Sequence, residues 1–166
     1  MLSFVFNTTL QTTWLPDQVS TFAPEIDSLF YFVYYWTIFF FLLVVVGTFY
    51  FSWKYKSKKK GLTSSLDHNT TLEVVWTIIP LILTMIVFFW GARTYIKMNI
   101  VPYDAMEVNV KGQKWFWTFT YKEGFTNSND LVVPVNQPVK LIMESQDVLH
   151  SFYVPDFRVK IDVIPN

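Results

Sequence analysis

Two membrane-crossing helices followed by a β-rich domain is the fold this sequence predicts, and three observations predict it. An uncharged apolar block fills residues 29–53, and a second, with Arg93 near its far end, fills residues 74–96. At ~1.5 Å per residue each is long enough to cross a ~30 Å hydrocarbon core, and a buried soluble helix would be shorter. Beyond Pro102 the pattern changes to alternating apolar and polar residues, the period of half-buried strands.

Composition agrees with a membrane setting. Hydrophobic residues make up 52% of the 166 and charged ones 16%, below the roughly 25% of soluble domains. The 17 Phe and 9 Tyr suit a lipid-facing surface with rings at its interfaces. A formal net charge of zero points to no nucleic-acid partner. The absence of cysteine excludes disulfides, thiolate metal sites and cysteine nucleophiles within these residues.

In chain order, residues 1–27 are polar and proline-interrupted, and they lack the basic start of a signal peptide and the Arg-rich pattern of a transit peptide. No cleavable targeting segment is expected. Residues 28–98 read as the transmembrane hairpin. Lys54, Lys56, Lys58, Lys59 and Lys60 crowd the short loop 54–71, so the positive-inside rule places that loop inside and both termini outside. Thr70-Thr71-Leu72-Glu73 fits a T-x-x-E capping box opening the second span, and Pro80 falls one to two turns within it.

Residues 99–166 form the outer domain. Strands are expected over Met106–Lys111, Trp115–Tyr121, Leu131–Pro134, Val139–Glu144, His150–Pro155 and Phe157–Ile161, with turns at Asn127–Asp130 and Asn136–Pro138. Short strands at close spacing suggest a small sandwich or barrel. Residues 105–166 are fewer than the ~100 of a complete sandwich, so further polypeptide is expected to finish the domain.

Several residues could carry chemistry. Glu73 reads first as a helix cap and second as a carboxylate collecting protons at the membrane edge. His150 is one of two histidines, and a lone histidine in a β domain is more often structural than a ligand. Met143 follows the strand alternation and reads as core, and His68 lies across the membrane from His150. The residues alone therefore point to no metal site. Trp115, Phe116 and Trp117 read as β-core plus an interfacial anchor, or as an exposed contact for a partner. From residue 99 onward six Lys/Arg face eight Asp/Glu, a slight acidic excess that favours a basic partner.

Four ordered stretches carry a resemblance: Thr71-Leu72-Glu73-Val74-Val75-Trp76-Thr77-Ile78-Ile79-Pro80, Gly112-Gln113-Lys114-Trp115-Phe116-Trp117, Asp147-Val148-Leu149-His150-Ser151-Phe152-Tyr153-Val154-Pro155, and Lys160-Ile161-Asp162-Val163-Ile164-Pro165. Together with the hairpin they resemble cytochrome c oxidase subunit II over roughly residues 25–166. The resemblance implies a helical hairpin beside the catalytic subunit and, outside, a cupredoxin-like β-barrel, here incomplete. It implies a dinuclear copper centre (CuA) that takes electrons from cytochrome c and passes them to heme a of subunit I, where heme and copper reduce oxygen with proton pumping.

By the same resemblance Glu73 matches the carboxylate at the mouth of a proton path and Trp115 the ring through which electrons enter. Asp147 matches an acidic docking residue and His150 the first copper ligand. Lys160 and Asp162 match residues near subunit I. The membrane implied is the bacterial inner membrane or, alternatively, the mitochondrial inner membrane.

The departure from the family is the ligand set. Its other ligands are two cysteines, a second histidine, a methionine and a glutamate carbonyl, on a loop downstream of residue 166. Three readings stay open: part of an ordinary subunit II, the N-terminal half of a split one completed by another chain, or a copper-free structural remnant. The quinol oxidase subunit II shares the fold without copper but usually loses the histidine, so His150 favours the cytochrome c branch. A non-catalytic membrane-anchored module would make the four ordered motifs coincidence.

Overall fold

In the computed structural model, residues 14–56 and 68–165 are described. Lys58, Lys59, Lys60 and most of the basic loop lie outside the described residues, as do residues 1–13. The chain divides into two units: residues 25–95, and residues 96 onward together with the segment before residue 25.

The first unit is built on α1 (Ala23–Lys54) and α2 (Thr70–Asn99). Lipid supplies no hydrogen bonds, so a crossing segment must satisfy its own backbone, which a helix does. Both helices are long and apolar enough to cross, with mean hydropathy 2.3 over their best windows and none of those windows buried. Their hydroxyls are also satisfied internally. Thr37, Thr48, Thr77 and Thr84 each donate to the carbonyl four residues earlier, at 2.7–2.9 Å.

α1 starts six residues before the apolar block because its first turn is polar and capped. Ser20 Oγ accepts the Ala23 N–H at 3.1 Å, and Pro24 and Glu25 suit the helix start. At the other end Lys54 Nζ donates to Tyr50 Oη at 2.9 Å and lies over the Tyr50 and Tyr55 rings. α2 runs unbroken through Pro80. Within the hairpin Phe32 meets Trp90 at 5.9 Å between ring centroids, and Thr94 Oγ1 donates to Glu25 Oε1 at 2.9 Å.

The expected capping box does not form. Asn69, one residue earlier than Thr70, is the cap: its Oδ1 accepts the Leu72 N–H at 3.0 Å. Starting the helix there moves Glu73 one place past the position from which a side chain reaches back to the cap amide. Its carboxylate turns instead to His68 Nδ1 at 2.8 Å, while His68 Nε2 meets Thr70 Oγ1 at 2.8 Å.

The second unit is a mixed β domain. β1 (Met106–Gln113), β2 (Phe116–Tyr121), β3 (Thr126–Ser128) and β4 (Val139–Ser145) form one sheet in the order β3-β2-β1-β4. β1 runs antiparallel to β2 and parallel to β4. β5 (His150–Val154) and β6 (Val159–Val163) form an antiparallel pair, joined to the first sheet by a bridge between Ser145 and Pro165. Val108 and Val110 point inward from β1 and pack with Phe119, Tyr121, Phe152 and Val163 between the two sheets. On the outer face of β1, Glu107 pairs with Lys140 and Lys111 with Glu144. The Lys140 ammonium holds the Glu107 carboxyl below its ordinary range.

Two expected strands moved. Leu131–Pro134 pairs with no strand, and Thr126–Ser128, where a turn was expected, is β3. Gly124, at φ +84, closes a tight turn in which the Tyr121 N–H donates to the Phe125 carbonyl, so pairing begins at once. Asn129 then ends the ladder, its Oδ1 accepting the Trp117 N–H at 2.9 Å, and the Val132 N–H turns to Tyr121 Oη. The final strand starts at Val159 rather than Phe157 because Pro155–Phe157 forms a 3-10 turn closed by Arg158 at φ 60. Against that turn lie residues of the N-terminal segment. Arg158 donates to the carbonyls of Pro16 and Asp17, Ser20 Oγ to that of Phe157, and the Val19 N–H to that of Asp156.

Removing the cap tests its position. Asn69→Ala is expected to lower the stability of the α2 start by about 1 kcal/mol, with Thr70→Ala near neutral, as read by amide exchange across Thr71–Val75.

Candidate functional site

Three of the six candidate residues meet at one end of the β domain. β1 and β2 are joined by the two-residue turn Lys114-Trp115, which leaves Trp115 at the tip and 95% exposed. β4 and β5 are joined by residues 146–149, which lie beside that turn: the Gln146 N–H donates to the Gly112 carbonyl at 3.0 Å, and Gln113 Nε2 bonds to Gln146 Oε1. Ser145 Oγ donates to the Val148 carbonyl and closes the loop.

Asp147 ties the two connections together. Its Oδ2 accepts the Lys114 N–H at 2.7 Å, and its Oδ1 accepts the Val148 N–H at 2.6 Å and meets His150 Nε2 at 2.5 Å. The hydrogen bond to His150, then those from Lys114 and Val148, lower the Asp147 carboxyl to about 2. At neutral pH the carboxylate only accepts, so the shared hydrogen sits on His150 Nε2. In the neutral ring Nδ1 then carries the lone pair, the atom by which a neutral imidazole binds a metal or takes a proton. The His150 ring is held edge-to-face by Trp117 at 5.7 Å, and its side chain is only 18% exposed.

The other candidates stand elsewhere. Lys160 and Asp162 alternate with Ile161 on β6, opposite Tyr153 and Ser151 in the ladder, on the face turned away from His150 and Phe152. Glu73 belongs to the helical unit and forms the pair with His68 described above. The pairing of His68 with Glu73 is a contact that the sequence reading, in which His68 only lay across the membrane from His150, did not indicate. The position of His68 one residue before the Asn69 cap was the available sign, since side chains there fold back over the first turn.

Among the described residues no three His, Cys, Asp or Glu side chains gather as a metal site. With no thiolate in the sequence, and with Asp147 committed to three hydrogen bonds, these residues offer one imidazole. They do not by themselves fit a dinuclear copper centre, which needs soft thiolate donors.

Two apolar helices long enough to cross a membrane, followed by a partial cupredoxin-like domain, define a membrane-anchored β-domain protein. The chain belongs to the cytochrome c oxidase subunit II family. The pattern of that family's transmembrane domain matches residues 8–91, and that of its periplasmic domain matches residues 124–166. The match thus reaches into the N-terminal segment, further than the four motifs did. Similar proteins include cytochrome c oxidase subunit 2 of Alkalihalophilus pseudofirmus (35% identical over 68% of this chain and 35% of the relative). That of Oenothera berteroana is 31% identical over 68% and 55%, and that of Chondrus crispus 25% over 68% and 55%. The chain spans about half or less of the length of these relatives.

Asp147→Ala removes the tie. Amide exchange at Lys114 and Val148 is expected to speed up, with Val110 in central β1 unchanged. Equal protection of Lys114 in the variant would show that the turn holds its shape without the carboxylate.

Proposed function

We propose that this chain is the membrane-anchoring and electron-receiving portion of subunit II in a cytochrome c oxidase. In that role the complex takes electrons from a c-type cytochrome and delivers them to subunit I, with its heme a and copper, for oxygen reduction coupled to proton pumping. The observation that supports it most is His150, with Nε2 tied to Asp147 and Nδ1 left open, beside a fully presented Trp115. Copper is beyond what these residues hold, and the reading assigns the missing thiolates to polypeptide outside them.

Each residue then has a task. Trp115 offers a ring to the docked cytochrome, with the slight acidic excess of the domain steering a basic partner. Asp147 orients His150 in addition to any docking part, because its charge is already spent on three hydrogen bonds. Lys160 and Asp162 face subunit I. The Lys-rich loop lies on the bacterial cytoplasmic side, or the matrix side in a mitochondrion, and both ends of the hairpin outside. Glu73, with His68, stands at the inner mouth of the proton path.

Metal analysis of the complex purified through this chain tests the electron-entry reading. Two coppers beyond the one in subunit I, together with a cysteine-bearing polypeptide, are expected. No additional copper and no such polypeptide would leave the quinol-type or structural reading and remove His150 from the ligands.

Glu73→Gln tests the proton reading separately. The cap rests on Asn69, so the variant should keep its helix content. Oxidase turnover is expected to fall several-fold, and an unchanged rate would take Glu73 off the proton path.

A further inference from the structure

Gly112 stands near the end of β1, opposite Trp117 on β2 and Ser145 on β4. A β-carbon built on it would lie 3.1 Å from Cδ2 and 3.3 Å from Cγ of His150, and 3.1 Å from Cζ3 of Trp117. Those separations are inside the ~3.5–4.0 Å of a favourable carbon contact. The backbone does not ask for glycine there. Gly124 is the glycine with positive φ among the described residues, and Gly112 sits in an ordinary strand conformation. The room its missing side chain leaves is the room the imidazole uses.

We propose that Gly112 is a positioning residue for His150: the bare backbone of β1 is the seat on which the imidazole lies, and it sets the direction of Nδ1. Trp117 forms one wall of that seat, at 5.7 Å and 65° between rings, and Asp147 fixes the far nitrogen. The carboxylate alone leaves the ring free to swing about its Nε2 contact. A flat floor under Cγ and Cδ2 removes that freedom. An alanine would lift the ring, lengthen the Asp147 contact and turn Nδ1 away. The importance of that direction rests on His150 being a ligand, as proposed above, whereas the seat is a property of this chain alone.

Imidazole nitrogen NMR on this chain in detergent micelles, recorded without metal, tests the seat and leaves the copper reading untouched. There are two histidines, so His68 is an internal reference. The unaltered protein is expected to show His150 with hydrogen on Nε2 and with proton contacts from Hδ2 to the Gly112 α-protons and the Trp117 ring. In Gly112→Ala these contacts should be lost and the His150 signals should report both tautomers, with His68 and the β-sheet amide spectrum unchanged. An unchanged His150 pattern in folded Gly112→Ala overturns the proposal. If that variant does not fold, Trp117→Phe decides: the Gly112 contact and the Nε2–H form persist if the floor positions the ring. Their loss would give the positioning to Trp117 and overturn the role of Gly112.

Discussion

Lipid offers the backbone no partners, and the helical unit follows from that constraint. Each crossing segment has to close its own hydrogen bonds, so the two apolar blocks become α1 and α2, and their threonines bond back to carbonyls one turn earlier. The helices are apolar all round, with exposed Phe, Leu, Val and Ile on every side. Such a surface is settled by lipid or by neighbouring spans and not by a core of its own. The polar residues gather at the ends. Ser20, Glu25 and Thr94 stand at one, and Lys54, His68, Asn69 and Glu73 at the other.

The β domain obeys a different constraint, because its backbone can reach water and its stability depends on one apolar layer. Val108 and Val110 of β1, with Phe119, Tyr121, Phe152 and Val163, form that layer. β1 is central, paired on both sides, so its alternation orients everything attached to it. The residue that continues the inward set is Gly112, and the inward space there is filled by His150 from β5. The same register therefore builds the core at one end of the strand and the imidazole site at the other. A one-residue slip would turn Gly112 outward and dismantle both.

Asp147 shows how one carboxylate can serve structure and chemistry together. It closes its own loop through Val148, holds the turn that presents Trp115 through Lys114, and selects the hydrogen-bearing nitrogen of His150. The aromatic tip and the imidazole are thus held in one hydrogen-bonded frame, although they come from different connections. Lys160 and Asp162, two residues apart on β6, stand on the opposite face. The domain therefore carries the Trp115–His150 cluster and the Lys160–Asp162 pair on separate surfaces.

The two helices, the alternation of β1 and β4, and the four family motifs were legible in the sequence, because block length, period and motif are local properties. Sequence also showed, through the absence of cysteine, that these residues hold no thiolate centre. Local reading failed where a neighbour decided. Thr70 and Asn69 are both acceptable caps, and only the folded start of α2, with His68 drawing Glu73 away, separates them. Leu131–Pro134 has strand composition, yet the tight turn at Gly124 gave the place beside β2 to Thr126–Ser128. The seating of His150 was not legible at all, since Gly112, Trp117, Asp147 and His150 come from separate places in the chain. Composition and period determine which segments become helix or strand, because backbone satisfaction and apolar burial act over a few residues. Which side chain meets which, and so which nitrogen of His150 stays open, is decided only by tertiary contacts between segments that the sequence keeps apart.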